Sequence, residues 1–324
     1  MSKLTRRNLL AGAAAMSAAP LVPPTDAIAQ TAAPRQAPGF YRSKLGSYDL
    51  VVLSDGGTVT KLDSSPSKNA KLEDVKAVLS RMFLSTDELR VPFNVTLVDT
   101  GSKRTLIDTG NGPARGPTTG MLQANLAAAG IDPKSIDIVL ISHFHRDHIG
   151  GLRLTDGSLT FPNAEIKVGA VEWAYWMDDG NMSRAPQAQQ AGFQNVRGTF
   201  SSIADKLTKY EWGQEVAPGI TAMETAGHTP GHTSFAIQSG QDRLIVQGDV
   251  ASGFGPVYVR HPDWQAGGDM DGTKAVQARR KLFDMVVSQR ILSTGYHYPF
   301  PATVHMEKDG DGYRLVPIIW NSVL

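Results

Sequence analysis

The sequence of 324 residues contains no cysteine. Disulfides, zinc sites built on thiolates and a cysteine nucleophile are therefore all excluded. An excess of charge of one sign is also lacking, since 32 lysines and arginines face 31 aspartates and glutamates for a formal net charge of +1. This balance gives no electrostatic reason to expect binding to nucleic acid or to an anionic membrane. Any bound metal must be held by histidine and carboxylate side chains.

Long apolar runs are scarce as well. Residues 9–22 are mildly apolar and are interrupted and followed by prolines, so we expect no stable membrane insertion. This segment follows the paired Arg6 and Arg7, and the tripeptide Ala27-Ile28-Ala29 forms a small-x-small cleavage motif. Residues 1–29 are therefore predicted to be a twin-arginine-type signal peptide that directs the protein to the periplasm or to the exterior.

The rest of the chain alternates short β-branched stretches with segments of helical spacing. Residues 30–46 are predicted to form an N-terminal arm, and residues 47–324 to form the folded domain. Strands are predicted over residues 48–53, 94–98, 104–107, 136–141, 164–168, 220–225, 234–237, 243–246, 291–294, 303–307 and 313–319. Helices are predicted over residues 73–82, 118–129, 171–177, 193–207 and 272–287. Residues 178–192 are predicted to be a polar loop, and residues 253–268 to be irregular.

The densest group of chemically active side chains follows the buried strand predicted at residues 136–141. His143 and His145 are two positions apart, so in extended backbone both imidazoles point to one side and can share one metal ion. Asp147 and His148 come after the chain turns and can serve a second ion. A solvated loop with chance histidines is the alternative, but the whole chain contains only eight histidines.

Three more predicted strands end in a residue that can bind metal. These residues are His228, Asp249 and His297. Side chains placed at strand ends are held by a rigid sheet and remain accessible, as a catalytic metal requires.

This arrangement resembles the metallo-β-lactamase superfamily, whose signature is His-x-His-x-Asp-His followed by a distant Gly-His, an Asp and a final His. The resemblance runs from about residue 45 to the end of the chain. It implies an α+β fold, a four-layer αβ/βα sandwich with the metals at one edge between the sheets, and makes residues 47–324 a hydrolase domain. It implies two ions, one held by His143, His145 and His228, the other by Asp147, His148 and His297, with Asp249 bridging both.

The ligand count defines the expected chemistry. Each ion has three protein ligands plus Asp249, which leaves room for a bridging water. Two divalent ions lower the pKa of that water enough to make it a hydroxide near neutral pH. Hydrolysis is therefore expected, with Asp249 and Asp147 assigned to catalysis. Zinc is the favoured ion, with manganese, iron and cobalt as alternatives.

Two further polar residues are expected to support the ligands. Asp108 fits an acceptor for the free N–H of a ligand histidine better than a ligand. His232 is expected to hydrogen-bond the loops that hold His228.

Within the superfamily, the absence of cysteine excludes the zinc β-lactamases with a Cys ligand, and Asp249 argues against the remaining ones. The sequence is more similar to the methyl parathion hydrolase family and its lactonase and arylesterase relatives, on segments that include residues 39–42, 106–110, 226–233 and 312–317. This implies small neutral esters, lactones or organophosphate triesters as substrates and a homodimer as the assembly.

The same resemblance implies an aromatic pocket in which Trp176 is a wall residue and Phe193 a gate residue. Arg115 stands where the phosphotriesterase has a phenylalanine, and the segment that contains Ser252 is smaller than expected. Both departures favour a lactone or an aryl ester, so a quorum-signal lactonase with little phosphotriesterase activity is one alternative. A mononuclear iron oxygenase of the same fold is another, although the second ligand group argues against it.

Overall fold

The polypeptide forms fourteen strands and eight helices within the residues that the structure, a computed structural model, describes: 36–113, 116–204 and 207–324. The predicted signal peptide lies outside these residues, and so does Arg115. Pro38–Leu324 form one compact unit. In these three ranges, no helix combines the length and the apolar character that crossing a bilayer requires.

Seven strands form the first sheet and lie in sequence order. They are β1 (Phe40–Leu45), β2 (Tyr48–Lys61), β3 (Glu88–Asp99), β4 (Arg104–Ile107), β5 (Ile138–Ile141), β6 (Glu165–Gly169) and β7 (Thr208–Tyr210). Neighbours are antiparallel from β1 to β4 and parallel from β4 to β7. The predicted arm of residues 30–46 includes β1, which pairs with β2 along its length. Leu45 at the end of β1 is buried between the sheets.

The second sheet also has seven strands, in the order β14-β13-β12-β11-β10-β9-β8. They are β8 (Glu215–Ala217), β9 (Ile220–Glu224), β10 (Thr233–Ser239), β11 (Asp242–Val246), β12 (Leu292–Thr294), β13 (Thr303–Asp309) and β14 (Gly312–Pro317). The pair β11 and β12 is parallel, and the other neighbours are antiparallel.

The helices cover the outer faces of the two sheets. They are α1 (Leu72–Arg81), α2 (Leu122–Ala128), α3 (Arg146–Ile149), α4 (Ala170–Met177), α5 (Asp179–Arg184), α6 (Gln187–Phe200), α7 (Gly255–Arg260) and α8 (Gly272–Ser288). One apolar cluster joins the first sheet to α2, α4 and α6, and another joins the second sheet to α7 and α8. A third cluster contains residues of both sheets and fills the space between them. The predicted α+β sandwich of four layers is confirmed.

β5 illustrates how the sequence produces these layers. All four residues of this strand are buried. Ile138 and Leu140 belong to the cluster between the sheets, whereas Val139 and Ile141 belong to the cluster under the helices. Because side chains alternate along a strand, a short continuous apolar run serves both faces at once.

Two segments predicted without regular structure contain helices. Residues 178–192 include α5 and the start of α6, where Asp178 caps α5 by accepting from the Asn181 N–H. Residues 253–268 include α7, which has Pro256 in its first turn. Proline is favourable in the first turn of a helix because its missing N–H would be unpaired there anyway, so Gly255-Pro256 begins a helix rather than preventing one.

Truncation of Leu140 tests the assignment of this side chain to the space between the sheets. Leu140 is 0% exposed, and Leu140→Ala should lower the free energy of unfolding by about 2–5 kcal/mol, measured by urea denaturation. Val316 on β14 is 36% exposed, and Val316→Ala should change stability by less than about 0.5 kcal/mol. Equal losses in the two variants would contradict this assignment.

Candidate metal centre

The seven predicted ligands all follow the carboxyl ends of strands, and the strands come from both sheets. The ligands are His143 and His145 after β5, Asp147 and His148 in α3, His228 after β9, Asp249 after β11 and His297 after β12. The structure brings all seven together, in two groups at one edge of the sandwich.

The first group is His143, His145, His228 and Asp249, whose ligand atoms lie within 4.8 Å of one another. His145 Nδ1 is 3.0 Å from His143 Nε2 and 2.9 Å from His228 Nε2. Asp249 Oδ2 is 3.2 Å from His228 Nε2 and 3.9 Å from His143 Nε2. Two nitrogens bound to one tetrahedral zinc at about 2.1 Å are themselves about 3.4 Å apart. This spacing therefore fits a single ion.

The second group is Asp147, His148 and His297, also within 4.8 Å of one another. Asp147 Oδ2 is 3.7 Å from His148 Nε2 and 3.6 Å from His297 Nε2. Asp249 reaches this group as well, with Oδ1 3.3 Å from His148 Nε2 and Oδ2 3.1 Å from His297 Nε2. Asp249 therefore lies between the two groups.

Two atoms of the centre are buried without a hydrogen-bond partner in the described part of the chain. They are His148 Nε2 and Asp249 Oδ1, which face each other at 3.3 Å without hydrogen-bond geometry. Divalent ions bind such imidazole nitrogens and carboxylate oxygens, so the residues present fit two metal ions.

Burial and mutual charge determine the protonation of the ligands. Burial opposes ionisation of Asp249, but the imidazoles of His297 and His148 outweigh it and hold the pKa of this carboxyl well below its ordinary value. Burial and the neighbouring imidazoles lower the pKa of His143 far below its usual range and that of His145 to about 3. Ionised Asp249 and neutral His143 and His145 are in the forms that metal binding requires. Neighbouring carboxylates, Asp249 first, outweigh burial and raise the pKa of His148 well above its usual range and that of His228 to about 9, so these two rings must lose a proton when metal binds.

Hydrogen bonds at Nδ1 orient four of the ligand rings. His143 Nδ1 is 3.1 Å from Ser142 Oγ, which also lies 2.8 Å from Asp108 Oδ2. His148 Nδ1 is 2.7 Å from Asp108 Oδ2, and His297 Nδ1 is 2.8 Å from the carbonyl oxygen of Pro92. His228 Nδ1 is 2.9 Å from Asp269 Oδ1. An imidazole that donates from Nδ1 leaves Nε2 free to bind a metal. Asp108 thus occupies the supporting position predicted for it.

His232 holds backbone rather than an ion. Its Nε2 accepts a hydrogen bond from the Asp249 N–H at 2.9 Å, and its Nδ1 lies 2.9 Å from Thr225 Oγ1. Burial and the charge of His228 lower the pKa of His232 to about 3, so the ring is neutral. A Cβ on Gly248 would lie 2.8 Å from His232 Nε2, which is why a glycine precedes Asp249.

The predicted pocket residues have different environments. Trp176 is 5% exposed, and its ring centre is 6.4 Å from that of His145. The Ser252 N–H donates to the Asp249 carbonyl at 2.7 Å, which places Ser252 beside a ligand. Phe193 is 1% exposed and packs behind Trp176. Phe193 thus has the environment of a core residue, and its gate role stays a prediction.

Three supporting residues were not predicted from the sequence. Asp269 holds His228, and the fully buried Arg279 donates to Asp269 at 3.1 Å and to the Val250 carbonyl at 2.7 Å. Glu172 is buried under the ligand loops. Arg279 could have been found, because an arginine on the apolar face of a predicted helix is unusual.

A sequence model described as the Metallo-beta-lactamase superfamily matches residues 90–288, more than half of the chain. The protein belongs to the metallo-β-lactamase superfamily. Among solved structures, the chain is similar to a hydrolase, AbOPH, in the beta lactamase superfamily (TM-score 0.82, 26% identity, 89% of this chain and 100% of that chain). It is also similar to AidC, a dizinc quorum-quenching lactonase (TM-score 0.81, 26% identity, 88% of this chain and 99% of that chain).

Curated relatives match shorter segments. Uncharacterized protein YobT of Bacillus subtilis is 30% identical over 44% of this chain and 56% of its own length. The beta-lactamase-like protein 2 homolog of Caenorhabditis elegans is 26% identical over 60% of this chain and 58% of its own length. An N-acyl homoserine lactonase of a Bacillus species is 26% identical over 35% of this chain and 38% of its own length. The chain thus spans less than two thirds of these relatives.

The comparisons refine the family assignment. They include lactonases and do not show the predicted closeness to the methyl parathion hydrolase family. The dizinc lactonase and the cluster of histidines and aspartates together support a dinuclear metal site.

Substitution of Asp108 tests whether the two ligand groups bind separate ions. Asparagine keeps the shape of Asp108 and tolerates its left-handed backbone, φ +64°, but it is a weaker acceptor for His148. Asp108→Asn should weaken the zinc ion held by His148 by about 10–100-fold, and the other ion less, since Asp108 reaches His143 only through Ser142. Titration of metal-free protein against a chelator measures both affinities. Asp137→Asn, at a partly exposed carboxylate that touches no ligand, should leave both affinities unchanged. Equal weakening of both ions by Asp108→Asn would contradict separate groups.

Proposed function

We propose that the protein is a dinuclear metal-dependent hydrolase that acts on neutral lactones and esters. The observation that carries this proposal is the position of Asp249 between two groups of three ligands. When bound, two divalent ions supply a hydroxide near neutral pH and polarise the carbonyl of the substrate. The donor set and the dizinc lactonase favour zinc.

The residues of this chain hold the reacting groups in place. The Nδ1 hydrogen bonds of His148, His228 and His297 keep their Nε2 atoms directed into the centre. The side chain of Asp147 is 15% exposed, against 5% for Asp249. Asp147 is thus the better placed carboxylate to take up the proton that the attacking oxygen releases and to pass it to the leaving oxygen, whereas Asp249 stays buried between the ligand groups.

The substrate class follows from relatives and from the pocket. A related structure contains the product N-hexnoyl-L-homoserine in a lactonase, and several curated relatives are N-acyl homoserine lactonases. Trp176 offers an apolar wall for an acyl chain beside His145. We expect lactones to be the best substrates and aryl esters the second best, with hydrolysis of organophosphate triesters as a side activity. Export through residues 1–29 and a homodimer remain proposals from the sequence.

Metal removal and a substrate comparison test the proposal. On metal-replete protein, we expect kcat/KM to be highest for an N-acyl homoserine lactone, lower for an aryl ester and lowest for methyl parathion. Chelation should abolish all three, and Asp249→Asn should lower each by more than about 100-fold. Asp242→Asn, at an exposed residue at the start of the strand that leads to Asp249, is the control and should have no effect. Full turnover after chelation would end the hydrolase proposal.

Ser252 provides a test of substrate contact that is separable from stability. It is 4% exposed with φ +53°, a backbone conformation that favours glycine. Ser252→Gly should therefore leave the free energy of unfolding no lower than that of the wild type. Loss of the hydroxyl should lower kcat/KM for the lactone by about 3–10-fold. Arg290→Gly removes another left-handed residue, φ +52°, and should not change activity; an unchanged kcat/KM in Ser252→Gly would exclude the contact.

A further inference from the structure

Glu172 is a carboxylate buried in the core beneath the metal centre. It lies on α4 and is 1% exposed. Its own hydrogen bonds go to none of the seven ligand side chains. Burying a carboxylate in a core costs free energy unless the group is hydrogen-bonded. The contacts of Glu172 therefore indicate a role for it.

The two oxygens of Glu172 each accept two hydrogen bonds. Oε1 accepts from the Phe144 N–H at 3.0 Å and from Trp176 Nε1 at 2.7 Å. Oε2 accepts from Thr229 Oγ1 at 2.8 Å and from the Gly231 N–H at 2.8 Å. These donors use both oxygens fully, which fits the ionised form. Burial nevertheless raises the pKa of this carboxyl, against the effect of the four hydrogen bonds.

The donors belong to the loops that carry one ligand group. Phe144 lies between His143 and His145, and Thr229 directly follows His228. One loop leaves the first sheet and the other leaves the second, so a single carboxylate ties the two sheets together under three imidazoles. The loop also lies directly on α4, since a Cβ on Gly231 would be 2.2 Å from the Glu172 backbone nitrogen.

The other ligand group is held by different residues. Asp108 orients His148, and the carbonyl of Pro92 orients His297. None of the four hydrogen bonds of Glu172 reaches Asp108, Pro92 or the rings that they orient. Asp108 in turn reaches the loop of His143 only through Ser142, from whose N–H it accepts a hydrogen bond at 2.8 Å. A change at Glu172 should therefore act on one group and spare the other.

We infer that Glu172 is the positioning residue of the group formed by His143, His145 and His228, an inference that rests on the dinuclear centre of the proposed function. It sets the distance between the two loops so that the three imidazole nitrogens converge on one ion. Through Trp176 it fixes the aromatic wall at the same point.

Glu172→Gln is the direct test. Glutamine has the same shape but only one acceptor oxygen, so its amide nitrogen must face an N–H donor on one side or the other. We expect the affinity for one of two zinc ions to fall by about 10–100-fold, with the other ion nearly unaffected. Competition with a chelator on metal-free protein measures both affinities. Combining Glu172→Gln with Asp108→Asn should weaken both ions.

Two further variants separate positioning from general destabilisation. Asn125 is a buried amide that accepts from the Gly39 N–H and donates to the Ser54 carbonyl, far from the ligands. Asn125→Asp is likewise an isosteric exchange, and it places a carboxylate oxygen against the Ser54 carbonyl oxygen. It should lower the melting temperature without changing zinc affinity. Thr229→Val removes one of the four hydrogen bonds and should weaken the same ion as Glu172→Gln, by a smaller factor; it decides the question if Glu172→Gln does not fold.

The results that would refute the role of Glu172 differ from those that would refute the proposed function. Equal weakening of both ions, or unchanged affinities in both Glu172→Gln and Thr229→Val, overturns the positioning role. Wild-type protein that binds two zinc ions but hydrolyses no ester or lactone refutes the proposed function alone. Selective weakening of one ion then still supports the role of Glu172.

Discussion

The centre depends on the buried carboxylate of Asp249, placed among imidazoles that arrive from both sheets. Burial disfavours the charged form of every ionisable side chain here, and the attraction between carboxylates and protonated imidazoles offsets this effect. The carboxylates of Asp249 and Asp269 outweigh the burial of His228 and raise its pKa to about 9. The same attraction holds the pKa of Asp249 well below its ordinary value. The protein alone therefore assembles the ligands by ion pairing, and metal ions must displace the protons that remain there.

The two sheets make this convergence possible because they hold the ends of the ligand loops rigidly. Parallel pairing of β5 with its neighbours and of β11 with β12 brings strand ends to one edge. The loops that leave these ends hold strained backbone at Asp108 and Ser252, both left-handed. Such conformations cost of order 1–3 kcal/mol and persist where the surroundings fix them. At Asp108 the fixing contacts are the Ser142 N–H at 2.8 Å and the ring of His148.

The ligands were predictable from the sequence, whereas the residues that support them were not. His143 and Asp147 lie in one short motif, and His228, Asp249 and His297 each follow a recognisable strand, so spacing and strand pattern suffice. Glu172 contacts residues 28 and 57 positions away in the sequence. No local sequence pattern predicts contacts between residues so far apart. The helices α5 and α7 and the first half of α6 were missed for a local reason, since Gly, Pro and Gln obscure helical spacing that tertiary packing completes.

Some supporting carboxylates contact the ligand rings directly, and one contacts the loops that carry them. This difference affects where substrate preference can change. Asp108 and Asp269 touch ligand rings, while Glu172 touches loop backbone and the indole of Trp176. Any change of Trp176 therefore removes a hydrogen bond from the carboxylate that spaces the ligand loops. The hydroxyl of Ser252 makes no hydrogen bond within the described residues, so it can change without disturbing the ligands. Preference for one acyl or aryl group over another is thus more readily altered on the Ser252 side of the centre than at the aromatic wall.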